Sequence, residues 1–462
     1  MKANIVVILI CYLMFWPGSG WCGEGEEQAP LDLSAIQVLD LVTAQQLALA
    51  ANPSMEAALA RVEQARARVR QTTAAWWPSL DVTGSGGRVR QSDSAWLTTQ
   101  ALAHLGGQSV DQTTEQYKGE VQASWLLFDG FYRQFNQEQA VYGEKSEAAA
   151  REDAQRLLAS AVAEAFLNAQ LAQTNMGIAA ADQNFYNQQL QDAQNRYDAG
   201  AGLWGDVLNI KVQLNSAKTN VLLSGREFEA AGYGLAALLG LADAQFPEHL
   251  SLKPLEDAEV SAAAAPDQLI EEALARRPDV RQLTLAVKQA EAGIGMAEAQ
   301  FYPKLQLAGT LNDARQGSFR LSGEDVGNTV ALNLSWNLFA GGVDKARRFE
   351  AEQARREAGA ALQNLRNQVA AEVRQDVALL EAAREQVVLQ RESVTLVEEN
   401  RDMARSEYEA GQASLVRLNE AQRDLTTTHG RLAQAQVAWQ RARERLLAAT
   451  GRNVRGQVTE NR

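Results

Sequence analysis

The chain has 462 residues and a formal net charge of −13, and these values limit what it can do. A protein that binds nucleic acid needs a basic surface for the phosphates, so this charge argues against that class of partner. The only two cysteines, Cys11 and Cys22, lie near the beginning of the chain. The rest of the chain therefore offers no disulfide, no thiolate nucleophile and no cysteine ligand for a metal.

Residues 1–22 have the pattern of a secretory signal peptide. A basic residue precedes an apolar run that ends at Trp16, and Pro17 and small residues follow near the expected cleavage site. The run is too short to span a membrane. Lipid modification of Cys22 is disfavoured, because Trp21 stands where a small residue should precede a modified cysteine.

Much of the remaining sequence occurs twice. Pro78 and Pro303 each follow two aromatic residues, and Trp125 and Trp336 each lie in a similar alternating segment. The duplication predicts two structural repeats with a connecting linker and a C-terminal tail. The two repeats are predicted at residues 23–240 and 267–451. The linker between them is 241–266, and the C-terminal tail is 452–462.

Each repeat contains two segments in which apolar and polar residues alternate, as in strands with one apolar face. Val121, Ala123 and Trp125, for example, alternate with Gln122 and Ser124. Polar residues between the first two segments predict a long exposed loop, and the second repeat has a shorter one. The predicted strands are 80–90, 119–128, 304–312 and 329–338, and the long loop is 91–118.

A very long helix is predicted after the second strand of each repeat, at 131–199 and at 342–410. From Leu158 to Ala179, apolar and small residues recur about every 3.5 positions, which is typical of a coiled-coil seam. In the second helix the same seam is interrupted by Asp376. A helix of this length spans on the order of 100 Å, more than a single globular core needs.

Gly200 and Gly411 mark the ends of these helices, since glycine just past a helix favours its C-terminal cap. A helix of about half the length returns from each turn, at about 206–239 and 415–449. Another short helix, at 43–75, precedes the first strands. If the short helices stack end to end, each repeat folds as a long antiparallel pair.

The four strands of one chain cannot close a membrane barrel by themselves. Open sheet edges are not tolerated in lipid, and the smallest membrane barrels have about eight strands. After the leader, the sequence has no apolar run long enough for a spanning helix. The strands therefore form either a small soluble sheet or part of a barrel that several chains share.

Several motifs, in their order and spacing, resemble TolC-like outer-membrane efflux proteins. They are the segment at 275–280, the aromatic–Pro–Ser/Lys–Leu start of each first strand, the Phe–Asp/Ala–Gly turn and the Tyr–x–Ala–Gly hairpin tip. The resemblance covers residues 39–451. It implies a mainly helical homotrimer, in which a 12-stranded β-barrel in the outer membrane, with four strands per chain, continues into a long periplasmic α-helical barrel.

The resemblance also implies a function and a location. The protein would be a passive exit duct in the outer membrane of a Gram-negative cell, with a large periplasmic part. It would serve an inner-membrane pump or a type I secretion system, and it would dock through a periplasmic adaptor. The sequence does not indicate the cargo or the class of pump.

The family's periplasmic gate lies at the helix tips, and four positions match it. Asp206, with Asn209 close behind it, matches the tip of the first hairpin, and Tyr408 and Glu420 match gating positions of the second. Arg417 occupies a further gate position.

Two residues depart from the family's pattern. Ala413 stands where the best-known member has a latch arginine, and Arg417 stands where it has an aspartate. An acidic, cation-selective ring at the entrance is therefore in doubt, and a closing latch must use other pairs.

Simpler structural explanations compete with these functional ones. Asp206 is also suited to cap a helix or to lie in its first turn, and Tyr408 is also suited to packing. The aromatic residues before the strands fit either a belt at the membrane interface or packing between helices. These are Trp76, Trp77, Phe301 and Tyr302.

No enzyme, cofactor or metal site is predicted. His104, His249 and His429 are far apart and lack the spacing of metal ligands. No arrangement of a nucleophile with a base or of paired carboxylates stands out. The main competing function is a periplasmic adaptor or a structural coiled-coil protein, which would have one helical hairpin instead of two.

Overall fold

The computed structural model describes residues 37–107, 109–246, 250–255, 264–316 and 326–454, so the predicted signal peptide lies outside the described residues. Within this part of the chain, no helix is both long and apolar enough to cross a membrane. The strands are β1 Val38–Leu39, β2 Ser79–Arg90, β3 Thr113–Phe128, β4 Ser251–Leu252, β5 Lys304–Gln316 and β6 Val326–Ser335. The α-helices are α1 Leu41–Ala51, α2 Pro53–Ala74, α3 Asp93–Leu105, α4 Tyr132–Asp198, α5 Trp204–Leu238, α6 Pro266–Arg276, α7 Pro278–Glu298, α8 Val343–Glu409 and α9 Leu415–Ala449.

The four longer strands form one antiparallel sheet in the order β2–β3–β5–β6. Val82 pairs with Val121, and Val121 pairs with Leu311, so all three lie on the same face. Successive residues of a strand point to opposite faces, so the register gives the sheet a polar face and a face that is apolar except at the end away from Trp125. At that end the second face carries Arg88, Glu115, Asp313 and Arg315. The apolar face carries Leu80, Val82, Val121, Ala123, Trp125, Leu305, Leu307, Leu311, Val330, Leu332 and Leu334, and the polar face carries Asp81, Thr83, Gln122, Ser124, Gln306, Thr310, Thr329 and Asn333.

The expectation of an irregular loop at 91–118 was wrong. It contains α3, and β3 begins at Thr113 instead of residue 119. Ser92 caps the helix by accepting a hydrogen bond from the N–H of Ala95, and the alanines and leucines that follow favour helical backbone. The indole N–H of Trp96 donates to the carbonyl of Val110 at 2.9 Å, which ties the helix to its own loop.

The two long helices, α4 and α8, have 67 residues each, and the returning helices α5 and α9 have 35 each. Helices α1, α2 and α5 pack along α4, whereas α6, α7 and α9 pack along α8. Helices α7 and α9 also contact α4 and so join the two halves. The prediction of tandem repeats, each a long helix paired with shorter ones, is confirmed.

Both repeats make the same hydrogen bond where a strand meets a helix end. The indole N–H of Trp125 donates to the carbonyl of Trp76 at 3.0 Å, and that of Trp336 donates to the carbonyl of Phe301 at 3.1 Å. Trp76 also lies 4.5 Å from the guanidinium of Arg133. Trp76 therefore takes part in packing within the chain.

The segment between the halves contains a strand that the sequence did not indicate. β4 pairs in parallel with β1, and Leu39 and Leu252 are buried there. Two-residue strands are too short to show an alternating pattern, so periodicity cannot detect them.

A buried arginine joins the helices near the middle of α8, where α6 and α9 end and α7 begins. Arg277, between α6 and α7, donates to Asp279 at 2.8 Å, to Glu372 at 2.6 Å and to the carbonyl of Ala449 at 3.2 Å. Burial opposes its charge, but hydrogen bonds to these two carboxylates raise its pKa. Four elements are thereby joined through one side chain.

Asp376, which interrupts the α8 seam, is only 8% exposed. Burial raises the pKa of its carboxyl to about 6, and the nearby charge of Glu372 adds to this effect, whereas Arg445 and Arg277 oppose it. The side chain is thus an ionisable group at a position that otherwise carries apolar residues.

Candidate functional site at the helix tips

The first tip is the turn from α4 to α5. Gly200 has a positive φ of 72°, and the N–H of Ala201 donates to the carbonyl of Arg196 at 2.8 Å. This is the pattern of a helix that ends with a left-handed residue, for which glycine is favoured. The ring of Trp204, which begins α5, lies 5.1 Å from that of Tyr197 and closes the turn.

The second tip, from α8 to α9, has the same backbone but different side chains. Gly411 has a φ of 74°, and the N–H of Gln412 donates to the carbonyl of Glu407 at 2.8 Å. Ser414 caps α9 by accepting a hydrogen bond from the N–H of Arg417. Ion pairs, not stacked rings, surround this turn, since Arg417 lies 3.3 Å from Glu407.

Tyr408 connects the two hairpins. Its ring packs on a buried apolar cluster that includes Val207 and Ile210 of α5 and Leu418 of α9. The guanidinium of Arg196, from α4, lies 5.2 Å from the centre of the same ring. Tyr408 thus contacts both hairpins through packing and through a cation–π interaction.

Asp206 contributes to the electrostatics of this ring. Burial raises the pKa of Tyr408, and the negative charges of Asp206 and Asp192 raise it further, whereas Arg196 opposes the shift. Asp206 lies in the first turn of α5, whose N-cap residue is Leu203, so the interpretation of Asp206 as the cap itself was wrong. The first-turn position still favours an acidic residue.

The other predicted gate residues do not join this cluster within one chain. Asn209 and Glu420 are exposed, and Arg417 is engaged with Glu407. The structure therefore brings together Tyr408 and Asp206, and it leaves the remaining positions on the surface of the tips.

A second contact between the hairpins lies further from the tips. Asp182 of α4 accepts hydrogen bonds from Gln422 at 2.8 Å and from Thr426 at 3.0 Å, both of α9. Sequence reasoning missed this contact. Its only local signal is a single carboxylate after the small residues that end with Ala181, and its partners are about half the chain away.

The described residues contain no group of three or more histidine, cysteine, aspartate or glutamate side chains placed to hold a metal ion. His104 and His429 lie in separate helices, and His429 is paired with Glu398 at 3.3 Å. His249 lies outside the described residues.

Known proteins resemble this chain in sequence and in structure. Nodulation protein T of Rhizobium leguminosarum bv. trifolii is 24% identical over 400 residues, which cover 84% of this chain and 80% of that protein. The cation efflux system protein CusC of Escherichia coli (strain K12) is 25% identical over 402 residues, with coverages of 85% and 82%. A crystal structure of CusC superimposes with a TM-score of 0.74 at 22% identity, covering 90% of this chain and 93% of that one.

The sequence profile of the family described as outer membrane efflux protein matches residues 44–241 and 269–452. The two matched stretches correspond to the two repeats, and together they contain most of the chain. The chain therefore belongs to the outer membrane efflux protein family, and the predicted location in the outer membrane is confirmed.

Proposed function

We propose that three copies of this chain form a passive exit duct, which receives its cargo from an inner-membrane transporter through a periplasmic adaptor. The observation that carries the proposal is the sheet, which has one apolar face, one polar face and an unpaired edge at each of β2 and β6. Three such sheets, joined edge to edge, would make a closed barrel with its apolar face towards lipid and its polar face towards a lumen. The match to the family over both repeats favours this duct over a periplasmic adaptor.

The aromatic residues of β3 support the membrane placement. Trp125 and Tyr117 lie on the apolar face, eight residues apart, which corresponds to about 27 Å along a strand. Aromatic residues flank an apolar band about 25 Å high in membrane barrels. The ring of Tyr117 lies over Gly86, where a Cβ atom would come within 3.2 Å of it.

The proposed duct closes at the helix tips. Tyr408 packs on Val207 and Ile210 of the first hairpin and lies over Arg196, and Asp206 acts on its ring through charge. These contacts have to change if the second hairpin moves away from the first. Asn209, Arg417 and Glu420 would line the entrance once three copies assemble. Within this proposal, no residue of the chain acts as a catalyst, and no cofactor is required.

The cargo follows from the partner pump. The names of the relatives range from cation efflux to nodulation, although they are similar to this chain over most of its length. A duct that is shared by such different systems is expected to take its selectivity from the adaptor and the transporter.

A matched pair of variants tests the barrel. Leu332 and Asn333 are adjacent in β6 and lie on opposite faces of the sheet. We expect Leu332→Lys to destabilise insertion by about 2–4 kcal/mol, as a lysine does on the lipid face of a membrane barrel, and to remove the heat-modifiable trimer from the outer-membrane fraction. Asn333→Lys should leave the trimer intact and alter its single-channel conductance. A soluble periplasmic protein, or equal tolerance of the two lysines, would overturn the proposal.

The entrance has a separate test. Neutralising both carboxylates, as Asp206→Asn with Glu420→Gln, should change the conductance or the cation preference of the trimer in lipid bilayers. The control neutralises two carboxylates far from the tips, as Asp243→Asn with Asp267→Asn. An unchanged channel in the double variant would remove these residues from the entrance.

A further inference from the structure

The two repeats have equivalent junctions between the last strand and the long helix. We define the first junction as residues 128–131 and the second as residues 339–342. Their backbones are alike, since Gly130 and Gly341 have φ values of 70° and 62°, and the next residues, Phe131 and Gly342, have φ values of 73° and 90°. Equivalent backbones would be expected to have equivalent surroundings.

The first junction is seated on the end of α7 and the turn that follows it. A Cβ atom on Gly130 would lie 2.4 Å from the carbonyl oxygen of Ala299 and 2.8 Å from the Cβ of Tyr302, so only glycine fits. The ring of Phe131 meets that of Tyr302 edge to face, with centroids 6.3 Å apart. We call residues 299–302 the occupied seat.

The second junction has no such seat within the described part of the chain. Apart from the adjacent residues, no described atom lies within 4 Å of a Cβ built on Gly341 or on Gly342. Phe339 is 85% exposed. An apolar side chain and two glycines with positive φ thus surround an open space where the first junction has a neighbour.

The chain also contains an empty seat, residues 74–77. The N–H of Trp77 donates to the carbonyl of Ala74 at 3.1 Å, just as the N–H of Tyr302 donates to that of Ala299 at 3.2 Å. Trp77 corresponds to Tyr302 in the repeat, and it is 74% exposed. The same turn is therefore present twice, and only one of the two is filled.

The empty seat and the second junction of one chain lie at opposite edges of the sheet. The seat leads into β2, and the second junction follows β6, and these are the two edge strands in the order β2–β3–β5–β6. When β6 of one copy pairs with β2 of the next, the second junction comes beside the empty seat of that next copy. Such head-to-tail contacts close into a ring when the rotation between copies allows it.

We propose that the second junction of each copy docks on residues 74–77 of a neighbouring copy, with Gly341 against Trp77 as Gly130 is against Tyr302. Phe339, which corresponds to Phe128, lies beside this contact. The inference rests on the trimer proposed above and names one contact that holds it together. Tryptophan is typical of the residues that dominate such interfaces, because it buries a large rigid surface. The contact repeats, between chains, the packing that the first junction makes within a chain.

Site-directed cross-linking tests the contact. The chain has no cysteine after Cys22, so introduced cysteines do not compete with native ones. The pair Trp77→Cys and Phe339→Cys can be linked by a short bifunctional thiol reagent in isolated outer membranes. We expect covalent dimers and trimers, at roughly tenfold the yield of a control pair, because the two thiols are held at a high effective concentration. The control is Tyr302→Cys with Phe339→Cys, which uses the occupied seat.

The outcomes separate the inference from the function on which it rests. Equal cross-linking of both pairs, or monomers only while the native trimer persists, would overturn the docking contact. Absence of any native trimer from unmodified protein would instead overturn the proposed function. In addition, Trp77→Ser and Phe339→Ser should each lower the temperature at which the trimer dissociates. Trp76→Phe changes a side chain of the same seat that packs on Arg133 of its own chain, and it should have a smaller effect.

Discussion

The two ends of the second hairpin are stabilised in different ways. At the end away from the tip, Arg277 is buried and bonded to two carboxylates and a carbonyl. At the tip, Tyr408 is half-buried, and the ion pair of Arg417 with Glu407 is exposed to solvent. A buried network resists displacement, because separating its charges leaves them unpaired in a low dielectric, whereas solvent replaces an exposed pair at little cost.

The difference indicates which end is fixed and which is free to move. At the end away from the tip, Arg277 joins α6, α7, α8 and α9. Any movement of these helices there would break several of its hydrogen bonds at once. The tip is connected to the first hairpin by a cation–π contact and by apolar packing. The strength of these interactions changes gradually as the tip moves. A duct that opens at its tips needs this gradient of stability along its hairpins.

The largest effect is expected at the buried end. Arg277→Ala removes the partner of Asp279 and Glu372, and we expect it to lower the free energy of unfolding by about 3–5 kcal/mol. Thermal unfolding of the purified protein measures this. The neighbouring Arg276 is largely exposed, and its partner Glu272 has a second ion pair with Arg452. Arg276→Ala should therefore cost under about 1 kcal/mol. Similar losses in both variants would remove the distinction between the two ends.

A second test uses pH and the seam carboxyl of α8. The pKa of Asp376 is raised from 3.8 to about 6 in the folded chain, so its ionisation above that pH destabilises the fold. Asp376→Asn should therefore stabilise the protein at pH 8, by up to about 3 kcal/mol for a shift of this size. The gain should shrink as the pH falls through 6 and vanish below about 4.

The exposed Asp402, in the same helix, provides the control for this experiment. Asp402→Asn should leave the melting temperature nearly unchanged at both ends of the pH range. A stabilisation by Asp376→Asn that is equal at pH 4 and pH 8 would show that packing, and not ionisation, is responsible.

Tyr408 allows an intermediate effect at the tip. Tyr408→Ala removes the ring from the apolar cluster and from Arg196, and we expect it to lower the stability of the hairpin contact by about 1–2 kcal/mol. The channel should then open more often in bilayer recordings. Tyr408→Phe keeps the ring and should behave as the unmodified channel does, so an open Tyr408→Phe channel would assign the effect to the hydroxyl instead.

The smallest effect is expected for the exposed ion pair of the tip. Arg417→Ala should change the free energy of unfolding by less than about 0.5 kcal/mol, and so should Glu407→Ala. A double-mutant cycle measured at low and at high salt checks this value, since screening should abolish any coupling that exists. A coupling above about 1 kcal/mol would mean that the tip is more rigid than its exposure suggests.

Long-range architecture could be predicted from the sequence because it depends on patterns that extend over many residues. The seam from Leu158 to Ala179 and the alternation around Trp125 are regular enough to indicate helices and strands. The duplication then supplied the number of strands per chain. Helix α3 was missed because its alanines and leucines lie among polar residues in a segment that is bounded by strands.

Contacts between distant residues could not be predicted in the same way. Arg277 and Glu372 are 95 residues apart, and nothing in the local sequence of either indicates the other. For the gate, family resemblance indicated Tyr408 and Asp206, but the contact of Tyr408 with Arg196 follows only from the way α4 and α8 meet. The assignment of Asn209, Arg417 and Glu420 to the entrance stays a prediction.

Equivalent helices of the two repeats have equal lengths, 67 residues for α4 and α8 and 35 for α5 and α9. This equality limits how the protein can change during evolution. Inserting one residue in a helix rotates everything beyond it by about 100°, so a compensating change would be needed in each helix that packs against it. Residues 91–112, by contrast, could acquire a helix of their own without disturbing any seam. Insertions should therefore accumulate at the strand ends, while substitutions alone accumulate along the helices.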